Sequence, residues 1–193
     1  MQPLIDNARR FGQRPEEFAP LAAGQSPAVL FITCSDSRVV PALITGARPG
    51  QLFELRTAGN IVPPYDNGGP TGEAATIEYA VEVLGVRDVV VCGHSHCGAV
   101  GALVRGDDLS AVPAVRDWLA HAVPEGAAGR PDDPAVADAV RGHVLAQLLR
   151  LRSYPCVERR LADDRLRLRG WYYEVHTGAV HEYRPETDSF ETL

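Results

Sequence analysis

Apolar and polar positions along the 193-residue chain alternate between two kinds of stretch. Ala28 to Thr33 (AVLFIT) and Asp88 to Cys92 (DVVVC) are short apolar runs, the first bounded by GQSP and CSDS, and they predict strands buried on both faces. Gln51 to Arg56 (QLFELR), after a Pro-Gly turn, predicts another strand. Between these, Thr71 to Leu84 places Ala74, Ile77, Tyr79, Val81 and Leu84 near a 3.6-residue period and stops at Gly85, as a helix does. A weak helical signal covers Glu16 to Leu21, and helices are expected at Gly98 to Val104, Ala111 to Ala122 and Pro134 to Arg152. A Pro/Gly-rich loop is expected from Pro124 to Pro134.

Near the C-terminus the period changes. Leu166 to Val175 and Ala179 to Tyr183 flank His176-Thr177-Gly178, which predicts a hairpin. Strands alternating with helices predict an α/β fold: a mostly parallel central sheet with helices on both faces and an antiparallel edge strand near the C-terminus. No linker composition divides the chain, so a single domain over residues 1–193 is expected, with residues 1–23 as an N-terminal helical arm.

Composition narrows the function classes. All nineteen basic residues are arginine, yet the net charge is −6, which argues against a nucleic-acid partner; the basic run from Arg159 to Arg169 reads as a solvated face. No apolar run approaches 18 residues, and MQPLIDNARRFGQRPEEFAP is too polar for a signal peptide, so a soluble, cytoplasmic protein without a membrane partner is expected. In that compartment Cys34, Cys92, Cys97 and Cys156 are read as thiols, metal ligands or catalytic groups, not as disulfides.

Two of these cysteines lie in chemically dense segments just past strand ends, where open α/β sheets collect ligands. One is Cys34-Ser35-Asp36-Ser37-Arg38; the other is Gly93-His94-Ser95-His96-Cys97-Gly98, with His94 sixty residues after Cys34. His94 and Cys97 are three apart, so a chain entering a helical turn can aim both at one centre while His96 points elsewhere. Cys92, last in an apolar strand, is expected in the core. Cys34, His94 and Cys97 then make a three-ligand zinc site with an open fourth position, the pattern of a catalytic zinc. Two thiolates acidify bound water less than three imidazoles do, so help in holding a hydroxide is needed. Asp36 can accept its hydrogen bond, and Arg38 can keep Asp36 ionised and aimed. A cysteine nucleophile of the phosphatase kind is disfavoured, because only three residues separate Cys34 from Arg38 where such loops place about five.

The paired motifs resemble those of the β-class carbonic anhydrases, and the resemblance runs from about Gly24 through Val104, including RTAGNIVPPYD, with GWYYEVHTG resembling the final strand pair. It implies one Zn2+ per chain on Cys34, His94 and Cys97, an Asp36-Arg38 dyad beside it, and reversible hydration of CO2 to bicarbonate and a proton by zinc-bound hydroxide. It further implies a substrate pocket with Gln25, Phe53 and Tyr79 reaching across a dimer interface, an apolar wall that includes Ala58, and a homodimer or a homotetramer of two dimers. One departure is Phe31, where members with a bicarbonate-binding regulatory site carry tryptophan; with it, the resting site is expected to be open, Asp36 off the metal. His96 or Tyr79 is expected to assist proton export. The rival readings are hydrolysis of a related heterocumulene such as CS2, or a non-catalytic zinc or bicarbonate-binding module on the same scaffold.

Overall fold

The computed structural model describes residues 1–13, 15–65, 69–122, 133 and 135–193. Six strands form one sheet in the order β2-β1-β3-β4-β5-β6: β1 Val29–Cys34, β2 Leu52–Thr57, β3 Asp88–His94, β4 Arg167–Tyr173, β5 Val180–Arg184 and β6 Ser189–Thr192. The first four are parallel neighbours, and β5 and β6 add antiparallel. The fold is therefore α/β, as expected, with two antiparallel strands at the edge where one was expected. Ser189–Thr192 is short and polar at all but Phe190, which hid it.

Eight helices occur among the described residues: α1 Gln2–Phe11, α2 Pro15–Phe18, α3 Pro41–Thr45, α4 Gly72–Glu78, α5 Gly98–Arg105, α6 Pro113–Leu119, α7 Ala137–Arg152 and α8 Pro155–Ala162. The Thr71 hydroxyl accepts from the Ala74 amide and caps α4. The same chain direction continues through a wider π turn, Tyr79–Leu84, and ends at Gly85 with φ 66°. Expected and observed helices agree to within a few residues, except that α3 and α8 were not foreseen. The loop expected at Pro124 to Pro134 lies outside the described residues apart from Asp133.

Alternation along the strands divides the core. Leu30, Ile32, Val89 and Val91 face α4, the π turn, α7 and α8, where Ile77, Val81, Val144, Leu151 and Val157 are buried against them. Phe31, Val90 and Cys92 face the other way and pack with Val29, Trp171 and Tyr173, all of them strand residues. Helical cover is thus heavier on the first face. The arm α1 buries none of its residues, and Leu4, Ile5 and Phe11 are exposed. No helix among the described residues is long and apolar enough to cross a membrane.

The sheet order brings two strand ends together. In the β1–β3 register Thr33 lies opposite Cys92, so Cys34 and His94 emerge side by side at the carboxyl edge. On the other flank Cys34 pairs with Thr57, which sets the tight turn Ala58–Asn60 beside it.

Candidate metal centre

Cys34 Sγ, a ring nitrogen of His94 and Cys97 Sγ lie within 4.8 Å of one another, and all three residues are buried. Each is placed by the strand end or turn that carries it. Cys34 ends β1 and His94 ends β3. Ser95 then donates its amide to the Tyr173 carbonyl (2.9 Å) and accepts the Val175 amide on its hydroxyl (3.0 Å). His96 takes a left-handed φ of 58° and donates its amide to the Ala135 carbonyl, which turns the chain so that Cys97 becomes the residue preceding α5.

The imidazole of His94 tests whether the site suits a metal. Its Nδ1 lies 2.9 Å from the Ser95 carbonyl, an acceptor only, so Nδ1 carries the proton and Nε2 presents a bare lone pair. That Nε2 is buried and has no hydrogen-bond partner. A buried, unpartnered imidazole nitrogen beside two thiols is a costly arrangement unless an ion takes the lone pair. Two sulfurs and one imidazole suit zinc, and three ligands leave a tetrahedral position for a further one.

The thiols are already biased toward that role. The two thiols are shifted in opposite directions: Cys34 is lowered, first because Cys97 donates to it and further by the Asp36 and Gly59 amides, against the cost of burial. The same contact drives Cys97 up. Cys92, by contrast, is fully buried in the core and pushed up to about 12 by burial, so it is inert, as expected. The ring of His96 does not join the three ligands; it stands edge-on to His176 with centroids 5.8 Å apart.

Asp36 and Arg38 adjoin the centre. Arg38 grips the carboxylate with both ends of its guanidinium, Nε to Oδ1 at 2.9 Å and Nη2 to Oδ2 at 2.7 Å, and its backbone amide also donates to Oδ1. These bonds hold the Asp36 carboxyl well below the usual carboxylate range. Asp36 Oδ2 remains 3.9 Å from His94 Nε2. Arg38 also donates to the His96 carbonyl, tying the two motif loops together. Arg56 donates to the carbonyls of Cys34, Asp36 and Val39, so the loop carrying the carboxylate is fastened from below.

Of the expected pocket residues, Ala58 flanks the centre. Gln25, Phe53 and Tyr79 do not reach it within one chain. Gln25 is exposed before the start of β1, and Phe53 pairs with Leu30, four residues from Cys34 and hence about 13 Å away along an extended strand. Phe53 and Tyr79 do stand together, ring centroids 5.9 Å apart, with Tyr79 45% exposed.

Three contributors were not singled out by the sequence. The Gly59 amide donates to Cys34 Sγ at 3.3 Å. Gly59 has φ 73°, and a Cβ there would sit 3.0 Å from that of Ala99, so no larger residue fits easily. Trp118 Nε1 donates to the Ala58 carbonyl (2.9 Å), and His143 Nε2 to the Gly59 carbonyl (2.7 Å). A glycine inside AGN was the only available hint of this turn.

Comparison with known proteins gives a consistent result. A family profile described as "Carbonic anhydrase" matches residues 29–180. The carbonic anhydrase of Pseudomonas aeruginosa is 48% identical over 190 residues, covering 93% of this chain and 86% of that protein. Carbonic anhydrase 1 of Escherichia coli O157:H7 is 44% identical over 203 residues, covering 100% of this chain and 92% of the relative. Among solved structures, the β-carbonic anhydrase CcaA superimposes with a TM-score of 0.91 at 38% identity, covering 100% of this chain and 99% of its own. A structure from a report of two tetrameric β-carbonic anhydrases of Sordaria macrospora gives 0.77 at 30% identity, with 94% of each chain covered.

Proposed function

This chain belongs to the β-carbonic anhydrase family, and from that membership we propose that it hydrates CO2 reversibly to bicarbonate and a proton, with one Zn2+ per chain held by Cys34, His94 and Cys97. The observation that carries this reading is the bare, buried Nε2 of His94 set between two thiols, with a carboxylate oxygen 3.9 Å away. When bound, zinc supplies a Lewis acid that lowers the pKa of a water molecule at the open position.

The chain's own groups do the rest. Asp36 Oδ2 accepts a hydrogen bond from the nucleophilic water, which turns an oxygen lone pair toward CO2. Arg38 keeps that carboxylate ionised and rotated away from the ligand cluster, which supports a resting site in the open state. Substrate meets the centre at its fourth coordination position, which no protein ligand takes. Gln25, Phe53 and Tyr79 complete the pocket from a second copy of the chain, Gln25 donating to a substrate oxygen and Phe53 excluding water.

Self-association is supported by three features: the unburied arm α1, the lightly covered second sheet face, and the tetrameric relatives. In this reading residues 1–193 are one unit that works as a dimer or a pair of dimers. A non-catalytic module or a CS2 hydrolase is not favoured, since the named relatives are carbonic anhydrases. Stopped-flow CO2 hydration with zinc quantitation on wild type and Cys34→Ser tests the proposal. About one zinc per chain with rapid hydration, both lost in the variant, is expected; a wild type without zinc and without activity would overturn it.

A further inference from the structure

We propose that Trp118, on α6, is a positioning residue for the metal-binding sulfur of Cys34, acting through the single peptide unit that joins Ala58 to Gly59. The proposal rests on the reading that Cys34, His94 and Cys97 hold a metal.

That peptide is engaged at both ends. Its N–H, belonging to Gly59, donates to Cys34 Sγ at 3.3 Å, and its C=O, belonging to Ala58, accepts from the Trp118 indole at 2.9 Å. A donor on the carbonyl draws charge toward the oxygen and leaves the N–H a stronger donor, so the two bonds reinforce each other across one amide. The indole never touches the sulfur. It strengthens, and holds in line, the group that does.

The neighbouring peptide is anchored independently, which makes the turn rigid. The Val62 amide donates to Gln147 Oε1 (2.9 Å), so the other end of that side chain is its NH2 group. This NH2 faces His143 Nδ1 at 3.4 Å, which must therefore be the unprotonated nitrogen. His143 Nε2–H then donates to the Gly59 carbonyl at 2.7 Å. Trp118 and His143 thus pin the two peptide units flanking Gly59 from α6 and α7, and only the Ala58–Gly59 unit reports to the sulfur.

The chemistry concerns how strongly each thiolate donates to the ion. The two sulfurs are handled differently: Cys97 faces the Val100 and Ala99 amides of its own helix start, whereas Cys34 depends on the Asp36 amide and the Gly59 amide. An N–H···S bond withdraws charge from a thiolate and fixes its direction. Removing the indole donor should leave Cys34 a more electron-rich and less well-aimed ligand. Groups that orient metal ligands in this way change metal affinity by roughly 10–100-fold when removed.

The test uses Trp118→Phe, which keeps an aromatic ring and loses the donor, with Trp118→Ala as a packing control. Each chain is loaded with Co2+, and the thiolate-to-cobalt charge-transfer absorption is recorded along with Zn2+ affinity by chelator competition. The expected result is a shift of that band to longer wavelength and a loss of zinc affinity on the order of tenfold in both variants, although only Trp118→Ala loses much stability. An unchanged band and affinity in Trp118→Phe, with the band present in wild type, would overturn this proposal alone; so would changes seen only in Trp118→Ala. A wild type that binds no Co2+ would overturn the metal-site reading and this proposal with it. A second measurement needs no variant: in 113Cd-loaded wild type the Gly59 amide proton should show scalar coupling to the metal through the sulfur, and its absence would also refute the role.

Discussion

Lowering the pH should destabilise the fold through one buried imidazole, that of His143. The ring is fully buried on α7, gives its Nε2 proton to the Gly59 carbonyl, and takes a hydrogen bond on Nδ1 from Gln147. Protonating Nδ1 would place a charge in the core and set two donors against each other. Burial, more than any other cause, lowers its pKa to about 4, against 6.5 for an ordinary histidine. The unfolded chain therefore binds this proton before the folded one does. His143 costs nothing above pH 6.5 and becomes progressively unfavourable between 6.5 and 4. Its full effect, 2.5 units at about 1.36 kcal/mol each, is about 3 kcal/mol.

Urea unfolding of wild type and His143→Gln between pH 7.5 and 4, with chelator present so that zinc release does not contribute, isolates this ionisation. The wild type should lose about 1.4 kcal/mol more per pH unit than the variant across the middle of that range. Equal pH dependence in the two proteins, or an imidazole NMR titration of His143 centred near 6.5, would refute the reasoning.

Other expectations concern the site and its frame. Gly93→Ala should destabilise by about 1–3 kcal/mol in thermal or urea unfolding, because the new Cβ would meet Val140 Cγ1 at 2.6 Å and Val144 Cγ2 at 2.7 Å between β3 and α7; a neutral result would show that this contact yields freely. Asp36→Asn should keep zinc yet lower CO2 hydration by about 10²-fold or more. It should also flatten the acid limb of stability: the depressed carboxyl of Asp36 contributes fully above its unfolded pKa of about 3.9 and is lost as pH falls toward the folded value. His96→Ala should slow turnover at low buffer concentration and recover with added imidazole if His96, packed on exposed His176, carries protons outward; unchanged turnover would retire that role.

The strands that build the site were legible because they are apolar without interruption, and their ends carried the only dense clusters of sulfur, imidazole and carboxylate in the chain. Cys34, His94 and Cys97 could be assembled from spacing and strand-end placement alone. What escaped was of two kinds. Short elements such as β6 and α8 have too few residues to show a period, and the widening of α4 into a π turn leaves the spacing of apolar residues nearly unchanged. The supporting contacts escaped for another reason: Trp118 and His143 reach across 60 and 84 residues to main-chain carbonyls. A carbonyl acceptor has no side-chain signature, so nothing in the sequence pairs either residue with the turn at Gly59. Gln25, Phe53 and Tyr79 lie away from the centre of their own chain, so the pocket role that the resemblance implies for them rests on the proposed second copy.

In the proposed site three residues hold the ion while Asp36 is kept off it by Arg38. A crystal structure of the zinc-loaded protein near neutral pH tests this most directly. The expected result is zinc on Cys34, His94 and Cys97, with sulfurs at about 2.3 Å, a solvent molecule as the fourth ligand, and Asp36 still paired through both oxygens with Arg38. A carboxylate of Asp36 bound to the zinc, with that pair broken, would contradict it.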